Sequence, residues 1–402
     1  MSVVRPPANR TVAAAPPGAH TPDGAPEAPS RWSTAPLRIR AVETTGLRVP
    51  LPRVFRGSKY QMDTRCTIIT RVTTEEGIVG EAYNGDEDAA QAAIRRIIQD
   101  ELAPALVGRD AFNVEGCWEA MLPATFDILR ERKLATQAIA CVDSAIWDAV
   151  GKALGLPLFR LWGGYCNALP LIAIGGYYNR TPRELAAEME FYRAHGLAGC
   201  KFKVGGAAPA EDAARFRVAR EAAGSDFVLM ADANQGYTLR EALHFCALVA
   251  DLNVRWFEEP CRWTDDRRAM RDVRLMTGVP VAAGQSEVSL AGARDLMVDG
   301  AIDVCNFDAS WSAGPTQWRR AAALAYAFGV QMAHHEEPQI AAHLLAGIPH
   351  GTYVECFHPE RDPLFWTLIA NRPPVRDGLY PVPTGPGFGL KMDQAFIARY
   401  QV

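Results

Sequence analysis

The chain has 402 residues, of which 49% are hydrophobic and 22% charged, and a formal net charge of −4. This is enough chain for two domains and a large core, and the balance leaves no basic field to recruit nucleic acid. No apolar run is long enough to cross a bilayer, and nine cysteines without CxxC or zinc-finger spacing read as reduced core thiols of a cytoplasmic protein.

Residues 1–36 are rich in Ala and Pro and carry neither helical nor strand periodicity, so a disordered tail is expected there. From about Leu37, two stretches (RIRAVETTGLRVPL and TRCTIITRVTTEEGIVGEAYN) alternate apolar and polar residues around turn signals, which predicts an antiparallel sheet. Helical patterns follow in EDAAQAAIRRIIQDELAPALVG and LATQAIACVDSAIWDAVGKALG; the second stops at Gly155 and Pro157. Residues 37–160 therefore read as an α+β capping domain, against which the C-terminal 365–402 is expected to pack.

Residues 161–364 change rhythm. Eight short apolar strands recur, each followed by a helical stretch: LPLIAIGGYY, CKFKV, FVLMADAN, VRWFEEP, VPVAAGQSE, DVCNFDAS, VQMAHH and TYVECF. Units of about 25–30 residues predict an α/β fold, a closed (β/α)-barrel of modified TIM type whose strand C-termini converge on one mouth.

Those C-termini carry the chemistry. Asp232 ends the third strand and Glu258 the fourth, while the fifth ends in GQSE and offers Gln285 and Glu287. A single acid at a strand end reads as a cap for the next helix. Three in succession read as oxygen donors around one hard cation, Mg²⁺ rather than Zn²⁺, since no Cys or His stands among them. Lys201 and Lys203 are two apart in the second strand, so both face the same way. Crowding with a cation is expected to lower a lysine's pKa and make it usable as a base. Asp308 ends the sixth strand and His334–His335 the seventh; a carboxylate beside an imidazole fixes its tautomer and raises its basicity, and alternation lets only one of the two histidines face inward. Glu355 ends the eighth strand, where a protonated carboxyl would donate to an enolate oxygen.

From about residue 37 onward, the chain resembles the enolase superfamily and, within it, the mandelate racemase subgroup. The Lys201–Phe202–Lys203 pair, the Asp232–Ala233–Asn234 turn, Glu258 in FEEP, Asp308 with His335, and Glu355 carry the likeness, together with AIWDAVGKALGLPLFRLWGG at the junction of the two domains. That superfamily uses Lys or His bases with Mg²⁺ to stabilise an enediolate. The resemblance implies that Lys203 is the base on one face of the substrate. Lys201 would contact the substrate carboxylate or tune Lys203. Asp232 and Glu258 would hold Mg²⁺, with Asn234 close by. His335, supported by Asp308, would work the opposite face, and Glu355 would stabilise the enediolate. One departure stands out: the family pattern has an acid directly after the glycine of strand five, where this chain has Gln285. Glu287, two residues on, points the same way if the strand stays extended, so either Glu287 or the Gln285 amide oxygen completes the site.

The loop from Arg53 to Met62 falls where that family places a specificity loop. Arg56, Lys59 and Tyr60 there suit a hydroxylated anionic substrate, and Tyr83 and Asn84 end a neighbouring strand. The expected activity is dehydration of a sugar acid to a 2-keto-3-deoxy acid. Racemisation, epimerisation and lactone cycloisomerisation use the same intermediate, and a barrel that has abandoned catalysis for binding is the reading from another class. The expected partners are a small carboxylate substrate and further copies of the chain, with no nucleic acid and no membrane.

Overall fold

The computed structural model describes residues 35–84 and 89–402. The Ala/Pro-rich tail up to residue 34 lies outside them.

Alternation builds the first sheet: β1 (Ile39–Arg56), β2 (Gln61–Thr74) and β3 (Val79–Asn84) pair antiparallel in that order. The helix Arg132–Leu154 packs across it and buries one apolar side with Ile68 and Val72 of the sheet. Gly80 of β3 permits this approach, because a Cβ there would meet the Ala145 carbonyl oxygen at 2.0 Å. The helix ends where the sequence indicates, at Gly155 in the left-handed conformation (φ 66°).

The barrel strands follow: β4 (Ala168–Gly175), β5 (Gly199–Lys203), β6 (Val228–Asp232), β7 (Val254–Glu258), β8 (Val281–Ala283), β9 (Val304–Cys305), β10 (Gln331–Met332) and β11 (Val354–Phe357). All eight coincide with the predicted stretches and pair in parallel in the order β10-β9-β8-β7-β6-β5-β4-β11. No ladder joins β10 to β11. The seam there is held by Met332, whose N–H donates to His350 O and whose carbonyl accepts the Thr352 N–H, each at 2.9 Å. Near the C-terminus β12 (Leu379–Pro381) pairs with β4, not with the capping sheet, while the Val402 N–H donates to Gly46 O of β1.

Period-two geometry stacks the barrel interior in layers. Ile172, Met230, Trp256, Ala282, Val304 and Ala333 form one dry apolar cluster. Two residues further along several of the same strands come Asp232, Glu258, Gly284 and Asn306. The interior is thus apolar below and functional at the mouth.

Candidate active site

The strand register sets neighbours before any side chain is considered: Lys203 pairs with Asp232, Asp232 with Glu258, and Lys201 with Met230. Lys203 Nζ donates to Asp232 Oδ2 at 2.6 Å and to Asn234 Oδ1 at 2.9 Å. Lys201, fully buried, lies 2.6 Å from both Glu258 Oε1 and Glu355 Oε1. Burial opposes each charge, but Glu258 and Glu355 around Lys201, and Asp232 beside Lys203, outweigh it and hold both ammonium groups above the usual lysine value. Asp232 moves the other way: burial raises it, yet the Lys203 and Lys201 charges leave it below the ordinary carboxylate value. Glu355 also accepts the Glu336 backbone N–H at 3.1 Å.

Across the mouth, His335 Nδ1 and Asp308 Oδ2 are 2.9 Å apart. His334 is turned away: its Nε2 accepts the Ala309 N–H at 3.0 Å, and burial pushes its pKa down to about 4. Of the two histidines, only His335 borders the mouth cavity. Burial, and then the Lys201 and Lys203 charges, depress its pKa well below the usual value, so the expected gain in basicity from Asp308 is overridden. It is neutral near pH 7, with Nδ1–H assigned toward Asp308 and Nε2 lying 3.3 Å from Glu336 Oε1.

A cavity of about 650 Å³ lies over this layer, bordered by Lys203, Asn234, Gln285, Glu259 and His335 from the barrel and by Tyr60, Asp63 and Thr64 from the capping domain. Asp232, Glu258, Lys201, Asp308 and Glu355 are buried around and beneath it. Tyr60 is the one member of the predicted loop trio that borders the cavity; its ring centre is 5.7 Å from Lys203 Nζ. Arg56 and Lys59 are exposed and stay outside the lining, because Phe55 and Gly57 take the inward positions on either side of Arg56. Tyr83 and Asn84 are buried away from the mouth, with Asn84 Nδ2 donating to Ser310 Oγ at 3.0 Å.

Glu287 does not point where an extended strand would send it. The chain turns after Gly284, closed by the Glu287 N–H donating to Gly284 O at 3.1 Å. The Glu287 carboxylate lies against Gly292 in the helix Leu290–Val298 and borders a separate recess with Asp266 and Met270. Gln285 remains at the cavity, 4% exposed. Sequence reasoning missed Glu259, the second acid of FEEP. Alternation sends it away from Glu258, but its backbone is left-handed (φ 37°) and re-aims it, so that it too borders the cavity.

Asp232, Glu258 and Gln285 offer oxygen donors on three successive strands, which fits a hard cation such as Mg²⁺ that the two acids would hold. Among the described residues no three His, Cys, Asp or Glu side chains already converge as a metal cluster. The lysine ammonium groups sit on the carboxylates a cation would use, and the position after Gly284 is an amide.

Comparison with known proteins agrees with this geometry. Residues 41–163 match the mandelate racemase/muconate lactonizing enzyme N-terminal domain, and residues 184–396 match the enolase C-terminal domain-like family. A 3,6-anhydro-alpha-L-galactonate cycloisomerase of Streptomyces coelicolor is 30% identical over 90% of this chain and 99% of its own. A crystal structure of a mandelate racemase/muconate lactonizing enzyme is 56% identical, with a TM-score of 0.90 over 91% of this chain and all of the other. Another such enzyme, from a marine actinobacterium in complex with magnesium, is 54% identical, with a TM-score of 0.87 over 91% of this chain and 99% of the other. Further relatives include acid-sugar dehydratases and an epimerase, so the relatives span more than one reaction. On this evidence the chain belongs to the enolase superfamily, in its mandelate racemase/muconate lactonizing enzyme group, a family of enzymes.

Proposed function

We propose that the protein is a Mg²⁺-dependent enzyme that removes the proton α to a carboxylate and dehydrates a sugar acid to a 2-keto-3-deoxy acid. The observation that carries this reading is that Lys203 and His335, five strands apart in sheet order, border one cavity, with Asp308 buried behind His335 and Asp232 and Glu258 buried beneath.

Asp232 and Glu258 would hold a cation, which would supply positive charge for the substrate carboxylate and the enediolate. The protein's own groups do the rest. In the charge state described above, neutral His335 takes the α-proton at Nε2 while Asp308 steadies Nδ1–H. The resulting imidazolium returns that proton to the β-hydroxyl, which leaves as water, and the enol tautomerises to the 2-keto acid. Lys203 orients the substrate from the other side. Proton return from the Lys203 ammonium to that opposite face would instead give epimerisation, the second reading its position supports. Cavity-lining Gln61, Thr64, Asn234 and Ser286 suit a polyhydroxylated acid.

A small carboxylate is then the partner. A reducing, cytoplasmic setting fits nine cysteines that are all free, eight of them buried. A homo-oligomer fits the adjoining exposed Phe126, Ile128 and Leu129.

The test is a panel of acid sugars incubated with Mg²⁺, assayed for 2-keto acids and for deuterium wash-in at Cα. Keto-acid release supports dehydration; wash-in without release supports epimerisation. No exchange with any acid, together with no Mg²⁺-induced thermal shift, would favour a non-catalytic binding barrel.

A further inference from the structure

The Gln285 amide leaves the donor set one negative charge short of the family pattern, and Glu287 has been carried away to Gly292. Glu259 is the acid that remains at the cavity. Its side chain is 4% exposed, an unusual depth for a carboxylate that meets no Lys or Arg in the structure's ion pairs among the described residues.

Neutral donors hold it instead. Gln285 Nε2 donates to Glu259 Oε2 at 2.9 Å, Ser286 Oγ to Oε1 at 2.6 Å, and Gln235 Nε2 to Oε1 at 3.4 Å. The backbone is fixed on both sides: the Glu259 N–H donates to Ala282 O at 2.9 Å and its carbonyl accepts the Gln235 N–H at 2.8 Å. A glutamate in the left-handed region is strained. This strained turn places Glu259 at the cavity beneath which Asp232 and Glu258 are buried. With Nε2 on Glu259, the Gln285 Oε1 faces Asn306 Nδ2 at 3.4 Å rather than the strand-end carboxylates.

We infer that Glu259 supplies the third negative charge of the Mg²⁺ site, and that Gln285 is its positioning residue and not a replacement ligand. The charge has moved from the end of β8 to the residue after β7, and the amide at 285 is the hydrogen-bond donor that a displaced carboxylate requires. The inference rests on the proposed Mg²⁺ chemistry and deepens it.

Isothermal titration of the full chain with MgCl₂ tests it without any substrate. Glu259→Gln, close in shape, is expected to weaken Mg²⁺ binding about tenfold or more, whereas Glu287→Gln stays within about twofold of the parent. The double variant Glu259→Gln/Gln285→Glu, which returns the acid to the end of β8, is expected to recover most of the loss, and this rescue excludes simple misfolding of the single variant. Parent-like binding by Glu259→Gln, or an equal loss in Glu287→Gln, overturns the inference and leaves the enzyme reading standing. A parent protein that binds no Mg²⁺ overturns both.

Discussion

The floor and the rim of the mouth are built on different principles. The floor is dry: two lysines and three acids, all nearly inaccessible, meet at 2.6 Å on strands whose register is fixed. The rim is wet: Tyr60, Asp63 and Thr64 come from the turn and strand start of another domain, and they face an open cavity. Buried charges without partners are strongly unfavourable, so the floor tolerates little change. The rim can vary without threatening the fold. The contrast teaches that the chemistry and its substrate reside in separable parts of the molecule.

Several experiments would break or sharpen this division. The largest effect is expected at the reacting centre, where the floor meets the cavity: His335→Asn and Lys203→Ala should each lower turnover by about 10²–10⁴-fold, measured as kcat on whichever acid is turned over. A loss under about threefold would remove His335 from proton transfer, and Lys203 from its orienting role. Lys201→Met leaves Glu258 and Glu355 facing each other unpaired, and should lower unfolding free energy by about 3–5 kcal/mol in urea denaturation. Mg²⁺ at about a hundred times its Kd should add about 2.7 kcal/mol of stability, read as a rise in Tm that EDTA reverses.

Acid should unfold the protein through its buried histidines. His334 and His343 both have folded-state pKa values pushed down by burial to about 4, against 6.5 for the free side chain. The unfolded chain binds the extra protons, so this stability is complete above pH 6.5 and is lost as pH falls toward 4, by about 3 kcal/mol for each histidine. A flat unfolding free energy across that window would contradict the burial of these rings. The smallest effects belong to the rim. Tyr60→Phe should shift KM across an acid-sugar panel by about tenfold with little change in Tm, and Arg56→Ala should stay within about twofold.

The sequence made the floor legible for a simple reason. Eight repeats of strand and helix fix where strands end, and polar residues at those ends have one mouth to face. What it hid depends on single backbone angles or on distant partners. Glu287 looked inward because an extended strand was assumed; the turn after Gly284 breaks that assumption. Glu259 looked outward by the same alternation, and a left-handed φ reverses it. Arg56 and Lys59 have the chemistry of anion binders but stand where the hairpin turns toward solvent. The lysine titrations could not be read from local spacing, since their partners lie 29, 57 and 154 residues along the chain.

One side chain ties the two regions together. Arg65 of β2 is buried and reaches Glu336, Glu337 and Asp362 at 3.3–3.4 Å, and Glu336 directly follows His335. A single guanidinium therefore fastens the capping sheet to the segment that carries the proposed base. Grafting the cap of a relative onto this barrel, to borrow another substrate preference, would succeed only if the incoming sheet brought an arginine to the same clasp. Without it, the chimera would keep its pocket walls and lose the alignment of its histidine.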